Sequence, residues 1–141
     1  MHDHKIGETF SRTITFDAQA IKEFATLAGD ANPLHHSEQI AVASRFGGLI
    51  ASGTHYSALM MGMIATHFTR NGAALGSGFR QFRKPVHAGE TVRLEWQITE
   101  IEPKPSLSGD VITLAGRITG RDDRPAVRAT ATVLVLPPEC L

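Results

Sequence analysis

Apolar residues in the first half of the chain recur at the spacing of an α-helix. Between positions 18 and 28 they fall three and four residues apart, so that one face of a helix would be apolar. Asp17 is suited to cap the start of this helix, and Gly29 to end it. The other elements predicted in this half are a strand over 12–16, a short helix over 37–44 and a long helix over about 52–68.

The second half of the chain changes to alternation, in which every second residue is apolar. Within 91–99, Val92, Leu94, Trp96 and Ile98 fall on one face, which is typical of an antiparallel strand with one face in the core. The pattern predicts strands over 91–99, 110–119 and 126–136, turns at 87–90 and 120–125, a longer connection at 102–110 and a loop at 70–78. Helices followed by consecutive strands predict an α+β fold, with an antiparallel sheet curled around one long central helix.

The predicted central helix lies in a stretch without charged residues. Positions 46–69 contain no Asp, Glu, Lys or Arg, yet they include many Gly, Ser, Thr and His residues. This stretch is too polar for the roughly 20 apolar residues that a membrane-spanning helix needs. It predicts instead a helix buried on all sides within a soluble protein.

Composition narrows the class of protein. The 141 residues predict one domain over 1–141, and 42% hydrophobic residues suffice for a real core. Lys and Arg total 14, as do Asp and Glu, and the resulting zero net charge argues against a nucleic-acid partner. The single cysteine, Cys140, excludes an internal disulfide and lies too near the end to be a favoured nucleophile. The N-terminal residues show no apolar stretch typical of a signal peptide, so we expect a cytoplasmic protein.

The segment 29–36, with the sequence GDANPLHH, contains the clearest candidate chemistry. The carboxylate of Asp30 and the imidazole of His35 could share proton transfers with a water molecule or a substrate. They would converge only in a fixed loop, which Pro33 and Asn32 could provide. In the alternative interpretation, Asp30 and Asn32 only turn the chain and His35 only packs.

The remaining histidines do not form a recognisable metal motif. His36 adjoins His35 and would point elsewhere, and no spacing typical of zinc ligands is present. His55 and His67 lie twelve positions apart and about 120° out of phase on one helix, so they are not a ligand pair. A pair that could chelate an ion, His2 and His4, lies at the N-terminus, where we do not favour such a site.

Glycines lead into the long helix at 47–53, with the sequence GGLIASG. They would allow a ligand to approach the backbone, and free N–H groups at a helix start attract an oxyanion. Close packing explains glycines there equally well. The stretch matches neither a phosphate-binding loop nor a nucleophile elbow.

Three stretches together resemble the MaoC-like dehydratase family, which includes the (R)-specific enoyl-CoA hydratases. They are AGDANPLHHSE, FGGLIASGTHYSALMMG and FRKPVHAGETV, and the resemblance covers about 7–136. It implies a single hot-dog domain, in which the sheet wraps the central helix, and a homodimer or higher homo-oligomer. It also implies a hydratase/dehydratase acting on an acyl-CoA or acyl-ACP thioester in fatty acid metabolism.

The resemblance further assigns roles to residues. Asp30 and His35 would activate a water that adds syn across a trans-2-enoyl thioester to give the (3R)-hydroxyacyl thioester. A backbone amide at the start of the central helix, matched to Gly48, would bind the thioester oxygen. No metal or redox cofactor is required. Loop support or substrate contacts would come from Asn32, Ser52, Gly53 and Tyr56.

Several alternatives stay open at this point. A hot-dog protein can also be an acyl-thioesterase, or a non-catalytic thioester-binding subunit of a hetero-oligomer. Met60, Met61 and Met63 could line an acyl tunnel, although a core position is favoured for methionines at helical spacing. Arg80, Arg83 and Lys84 could meet phosphates, although a solvated strand face is the favoured interpretation.

Overall fold

The fold is built from one curved sheet and three helices. A computed structural model of the chain describes residues 2–80 and 84–137. In chain order the main elements are β1 (Thr9–Phe16), α1 (Ala18–Leu27), α2 (Glu38–Ala43), α3 (Gly53–His67), β2 (Gly72–Arg80), β3 (Glu90–Lys104), β4 (Gly109–Thr119) and β5 (Pro125–Val135). Two 3₁₀ turns, Pro33–His35 and Pro105–Leu107, interrupt the connections.

All strand pairs in the sheet are antiparallel, and the strand order is β1-β3-β4-β5-β2. The alternating apolar residues of β3 face the core, and Leu94, Trp96 and Ile98 are fully buried. The predicted α+β hot-dog arrangement of a sheet against a long helix is confirmed. The predicted turns at 87–90 and 120–125 are also found.

One predicted loop is wrong, because residues 70–78 lie mostly in a strand. β2 pairs with β5 at the edge of the sheet, with a bulge between Ala74 and Gly76. Its sequence consists mainly of Gly, Ala and Ser, which give no contrast between alternate positions. The strand therefore exists through its pairing with β5 and not through its own apolar pattern.

Two other boundaries differ from the prediction. β1 begins at Thr9 rather than at position 12, because its first residues continue the ladder with β3 as far as Gln97. The connection predicted at 102–110 is shorter, since β3 runs on to Lys104 and β4 starts at Gly109. Both differences lengthen strands whose ends are exposed and polar.

The long central helix begins where the sequence predicts. Ser52 caps α3, and its hydroxyl accepts a hydrogen bond from the N–H of His55 at 3.2 Å. The helix is fixed to the sheet by Trp96, whose indole N–H donates to the carbonyl of Met60 at 2.9 Å. Gly116 leaves room for this contact, because a Cβ there would come within 2.8 Å of Met60.

The prediction that α3 is buried on all sides is wrong for the single chain. One face, which includes Tyr56, Met60, Met63 and Ile64, packs in the core. The opposite face is an uncharged stripe of exposed small residues, namely Thr54, Ala58, Gly62 and Ala65. The absence of charge on this stripe is thus not explained by contacts within the described part of the chain.

Candidate active site

The polar loop between α1 and α2 is held by its own side chains. Asn32 caps the 3₁₀ turn by accepting a hydrogen bond from the N–H of Leu34 at 3.0 Å. The carboxylate of Asp30 accepts from the N–H of Asn32 at 3.0 Å, and His36 Nε2 donates to the carbonyl of Asp30. His36 does point away from His35, and it supports the loop. These bonds fix the loop without a contribution from any ligand.

His35 points inward, and the backbone sets its tautomer. The residue is only 7% exposed, and its Nδ1 lies 2.8 Å from the carbonyl oxygen of Ile50. Because a carbonyl can only accept, Nδ1 must donate its proton there. A neutral His35 therefore has its lone pair on Nε2, where it can act as a base.

The structure brings Asp30 and His35 together. Their nearest atoms, Asp30 Oδ2 and His35 Nε2, are 3.5 Å apart. This separation exceeds the 2.7–3.2 Å or so of an ordinary N–H···O bond. Each atom therefore keeps its capacity to form a hydrogen bond with another group. Each group is oriented instead by a third one, the Asn32 N–H for the carboxylate and the Ile50 carbonyl for the imidazole.

The carboxylate is the more accessible member of the pair. The side chain of Asp30 is 29% exposed, compared with 9% for that of His35. Asp30 lines a surface pocket of about 430 Å³ together with His36 and small residues of α1 and the loop. Solvent therefore reaches the carboxylate directly, while the imidazole lies behind it.

A short extended segment, 49–51, joins this loop to the sheet side of the molecule. The N–H of Ile50 donates to the carbonyl of Leu34 at 3.2 Å. The N–H of Ala51 donates to the carbonyl of Val86 at 2.8 Å. The carbonyl that orients His35 thus belongs to a segment held on both sides.

Gly48, which the resemblance matches to the oxyanion-binding amide, does not lie at the start of the central helix. α3 begins at Gly53, after the cap Ser52, and Gly48 lies in the irregular segment before it, next to the ring of His87. The first N–H of this helix belongs to Gly53. It has no hydrogen-bond partner among residues 2–80 and 84–137, as expected for the first turn of a helix. The helix dipole therefore favours an anion at Gly53 and not at Gly48.

Two further predicted site residues lie at the same helix start. Ser52 is only 1% exposed, and its hydroxyl bonds His55 and Thr54, so its visible role is that of a helix cap. Tyr56 is buried, and its hydroxyl would lie 3.4 Å from a Cβ placed on Gly53. Burial raises the pKa of Tyr56 far above its usual value, so the hydroxyl keeps its proton at any ordinary pH.

His55, in the first turn of α3, is buried in an aromatic setting. Its ring stacks on Phe24 at 4.4 Å and meets the edge of Phe16 at 4.9 Å. Its Nδ1 has no hydrogen-bond partner in the described part of the chain. Burial lowers the pKa of His55, and the charge of Asp17 opposes that change only in part.

The other predicted candidates do not join this site. Met60 and Met63 lie in the core, and Met61 packs against it, which are the core positions that the sequence favoured. Lys84 is ion-paired with Asp122. Arg83 and Cys140 lie outside the described residues.

The site can now be compared with known proteins. The family model described as MaoC-like domain matches residues 2–116. A 3-hydroxybutyryl-CoA dehydratase of Methylorubrum extorquens is 30% identical over 102 residues, which are 72% of this chain and 65% of that protein. The chain thus spans just under two thirds of that relative's length. An (R)-specific enoyl-CoA hydratase of Aeromonas caviae is 28% identical over 92% of this chain and 93% of its own length.

A solved structure agrees with these matches along nearly the whole chain. The (R)-hydratase from A. caviae involved in PHA biosynthesis superimposes with a TM-score of 0.85 at 26% identity, covering 97% of this chain and 100% of that one. Among the described residues, no helix is long and apolar enough to cross a membrane. From the match of the family model over residues 2–116, this chain belongs to the MaoC-like domain family.

Proposed function

We propose that this chain is a hydratase/dehydratase that acts on acyl thioesters. It adds water to a trans-2-enoyl thioester to give the (3R)-hydroxyacyl thioester, and it catalyses the reverse reaction. The thioester carrier is coenzyme A or an acyl carrier protein, in a cytoplasmic setting of fatty acid metabolism. The proposal agrees with the activities named for the relatives above.

One observation carries the proposal, namely that Asp30 Oδ2 and His35 Nε2 lie 3.5 Å apart. Both groups are oriented by backbone atoms, and both keep free hydrogen-bonding capacity toward a water molecule. In hydration the pair removes one proton from water as oxygen bonds to C3, and it returns one proton to C2. The pair ends in its starting protonation state, so no other proton carrier is needed.

The start of α3 completes the proposed chemistry. Attack of water at C3 moves negative charge onto the thioester oxygen, which needs a fixed donor. We assign this role to the N–H of Gly53, since it is unpaired, stands at the positive end of a 15-residue helix and lies three residues after Ile50, which orients His35. The hydroxyl of Tyr56 lies beside this helix start, 3.4 Å from where a Cβ on Gly53 would lie.

The proposed assembly is a homodimer or higher homo-oligomer. Two features of the single chain support it. The exposed stripe on α3 is uncharged and made of small residues, and β2 is an edge strand that leaves Leu75 49% exposed. A second copy would cover both without introducing a buried charge.

Sedimentation and one substitution test this assembly. A Cβ on Gly62 meets nothing within 4 Å in the chain, so Gly62→Glu leaves the monomer fold unstrained but places a charge on the stripe. We expect a dimer for the unaltered protein and a shift toward monomer for the variant. A stable monomer at micromolar concentration in the unaltered protein would contradict the proposed assembly.

The activity is tested by the loss of enoyl-thioester ultraviolet absorbance with a panel of trans-2-enoyl-CoA substrates. We expect loss of signal with the unaltered protein and not with Asp30→Asn. Release of free thiol in the same cuvette would instead identify a thioesterase. Silence across both coenzyme A and acyl-carrier substrates, with folded protein, would favour a non-catalytic thioester-binding subunit.

A further inference from the structure

A second cluster of histidine and carboxylate side chains lies at the opposite end of α3. Glu8 Oε2 is 2.7 Å from His67 Nε2 and 3.0 Å from His4 Nδ1. The three potential ligand atoms all lie within 4.8 Å of one another. Residues from the N-terminal segment and from the last turn of the central helix thus converge on one point.

We propose that His4, Glu8 and His67 form a binding site for a divalent transition-metal ion such as Zn²⁺. His4 Nδ1, a Glu8 carboxylate oxygen and His67 Nε2 are the three protein ligands, and water fills the remaining position. Two imidazoles and one carboxylate are a donor set that Zn²⁺ accepts in proteins. The hydratase chemistry proposed above uses none of these three residues.

A bound ion requires moderate shifts of the three ligand atoms. Zn–N and Zn–O bonds of about 2.0–2.2 Å place neighbouring donors of a tetrahedral site roughly 3.3 Å apart. The two gaps to the Glu8 oxygen, 2.7 and 3.0 Å, must widen by about 0.3–0.6 Å to reach that spacing. The two ring nitrogens, which lie within 4.8 Å of each other, must approach by at most about 1.5 Å. In the metal-free cluster the Glu8 carboxylate accepts one hydrogen bond from a protonated nitrogen of each ring. When the ion binds, each neutral ring carries its proton on its other nitrogen instead.

The cluster is both preorganised and accessible. The ring of His67 stacks on Phe10 at 3.9 Å, and that of His4 contacts Phe68 at 4.7 Å. The side chains of His4, Glu8 and His67 are 19%, 26% and 27% exposed, so an ion can reach them from solvent. Burial raises the pKa of Glu8, but the hydrogen bonds from His67 and His4 outweigh this and lower it overall, so the carboxylate is ionised near neutral pH.

His2 is not a ligand in this proposal, because both of its nitrogens are engaged. Nδ1 accepts a hydrogen bond from the backbone N–H of His4 at 3.2 Å, and Nε2 donates to Asp110 at 2.8 Å. These bonds hold the N-terminal segment against β4 and so position His4. His2 is therefore a positioning residue, and its loss should weaken binding less than the loss of a ligand does.

The position of the site indicates a structural role. α3 has 15 residues and so spans about 22 Å, and Asp30 and His35 lie near its other end. An ion here would join the N-terminal segment to the end of the central helix. Like any ligand that binds only the folded state, it would raise the melting temperature.

The test is calorimetric titration of the chelator-treated full chain with Zn²⁺, in a Cys140→Ser background that removes thiol binding. We expect one ion per chain and a rise in Tm. Glu8→Gln and His67→Gln should each weaken binding by at least about tenfold. The control Glu23→Gln, at a carboxylate on α1, should bind as the parent does. Co²⁺ should give the visible absorption of a tetrahedral site in the parent and not in His67→Gln.

Other results would overturn the proposal. These are an absence of saturable binding by the folded parent, or equal binding by the parent and His67→Gln. Circular dichroism of the metal-free variants shows whether they are folded. If one of the two ligand variants does not fold, the other still tests the site. None of these readouts depends on turnover, so a failed metal site and a failed hydratase proposal are distinguishable.

Discussion

The two ends of α3 carry the same kinds of side chain in different arrangements. Near its start, Asp30 and His35 stand 3.5 Å apart, and each is oriented by a backbone group. At its end, Glu8 bonds His67 directly at 2.7 Å. In the first arrangement the carboxylate and the imidazole remain free to bind one water molecule that lies beside both. In the second, the hydrogen-bonding capacity of the carboxylate is shared between two rings.

This difference separates a site suited to proton transfer from one suited to holding an ion. Proton transfer needs a donor and an acceptor that are fixed but not neutralised by each other. A cation site needs several donor atoms that converge on one point, and these can form hydrogen bonds with one another when no ion is present. The same residue types therefore support different chemistry because different neighbours orient them.

The largest effects are expected for the first pair. Asp30→Asn and His35→Ala should each lower turnover of an enoyl thioester by at least about 10²-fold, since a positioned acid–base group typically contributes 10²–10⁴-fold. Circular dichroism should show a folded protein in both cases. Glu8→Gln and His67→Gln serve as the comparison at the other helix end, and their turnover should stay near that of the parent. Near-normal turnover in Asp30→Asn would remove that residue from the mechanism.

The helix start is tested by deleting one N–H group. Gly53→Pro removes the proposed oxyanion donor, and proline is well tolerated at the first position of a helix. Ser52, the residue before it, already has the extended backbone that precedes proline, with φ −72° and ψ 152°. Loss of one oxyanion donor should lower kcat by about 10²–10³-fold.

Two alanine variants make this test specific. Gly53→Ala keeps the N–H, and its Cβ would lie at a tolerable 3.4 Å from the Tyr56 hydroxyl, so kcat should fall much less than in Gly53→Pro. Gly48→Ala has ordinary space around its Cβ and should leave kcat nearly unchanged. A normal kcat in Gly53→Pro would mean that another amide N–H donates to the thioester oxygen, and Gly48 would be the first alternative.

A smaller effect is expected from the cap of the active-site loop. Asn32→Ala removes the acceptor for the Leu34 N–H and should lower the free energy of unfolding by about 0.5–2 kcal/mol. Ser37→Ala removes the equivalent bond to Ile40 at the start of α2 and should cost a similar amount. Chemical denaturation measures both losses. Only Asn32→Ala should also lower kcat, because only Asn32 lies in the turn that positions Asp30 and His35.

The comparison of the two helix ends also explains what the sequence could reveal. The candidate catalytic loop lies within eight consecutive residues, so its acid, base and loop-forming residues are visible together. The charge-free run likewise located the central helix. The cluster at the other end joins Glu8 to His67 across 59 positions, and no local spacing indicates that contact.

The errors have equally local causes. β2 consists mainly of Gly, Ala and Ser, so its own residues hardly distinguish a paired edge strand from a loop. Gly48 and Gly53 lie in one glycine-rich run, and the resemblance was matched to the first of them although the predicted helix begins near the second. The sequence did not predict the exposed stripe of α3, because a helix without charge is compatible either with full burial in one chain or with burial against a partner chain.

The smallest predicted effect is that the two ends of the helix respond to acid in different pH ranges. The folded chain lowers the pKa of His55 from its ordinary 6.5 because the ring is buried. Below about 6.5 the unfolded chain then binds more protons than the folded one, so stability falls as pH drops through the folded value. For Glu8, whose pKa lies below its ordinary 4.5 in the folded chain, the loss begins only below that value.

Two variants separate these losses, with unfolding free energies measured across the acidic range. His55→Phe keeps a ring between Phe24 and Phe16 but cannot titrate, so its stability should vary less between neutral pH and pH 5 or so than that of the parent. Glu8→Gln should preserve the loss that begins near 6.5 and reduce the one below 4.5. If His55→Phe lost stability on acidification as steeply as the parent, the buried ring would not be the origin of the first loss. That outcome would remove this distinction between the two ends of the helix.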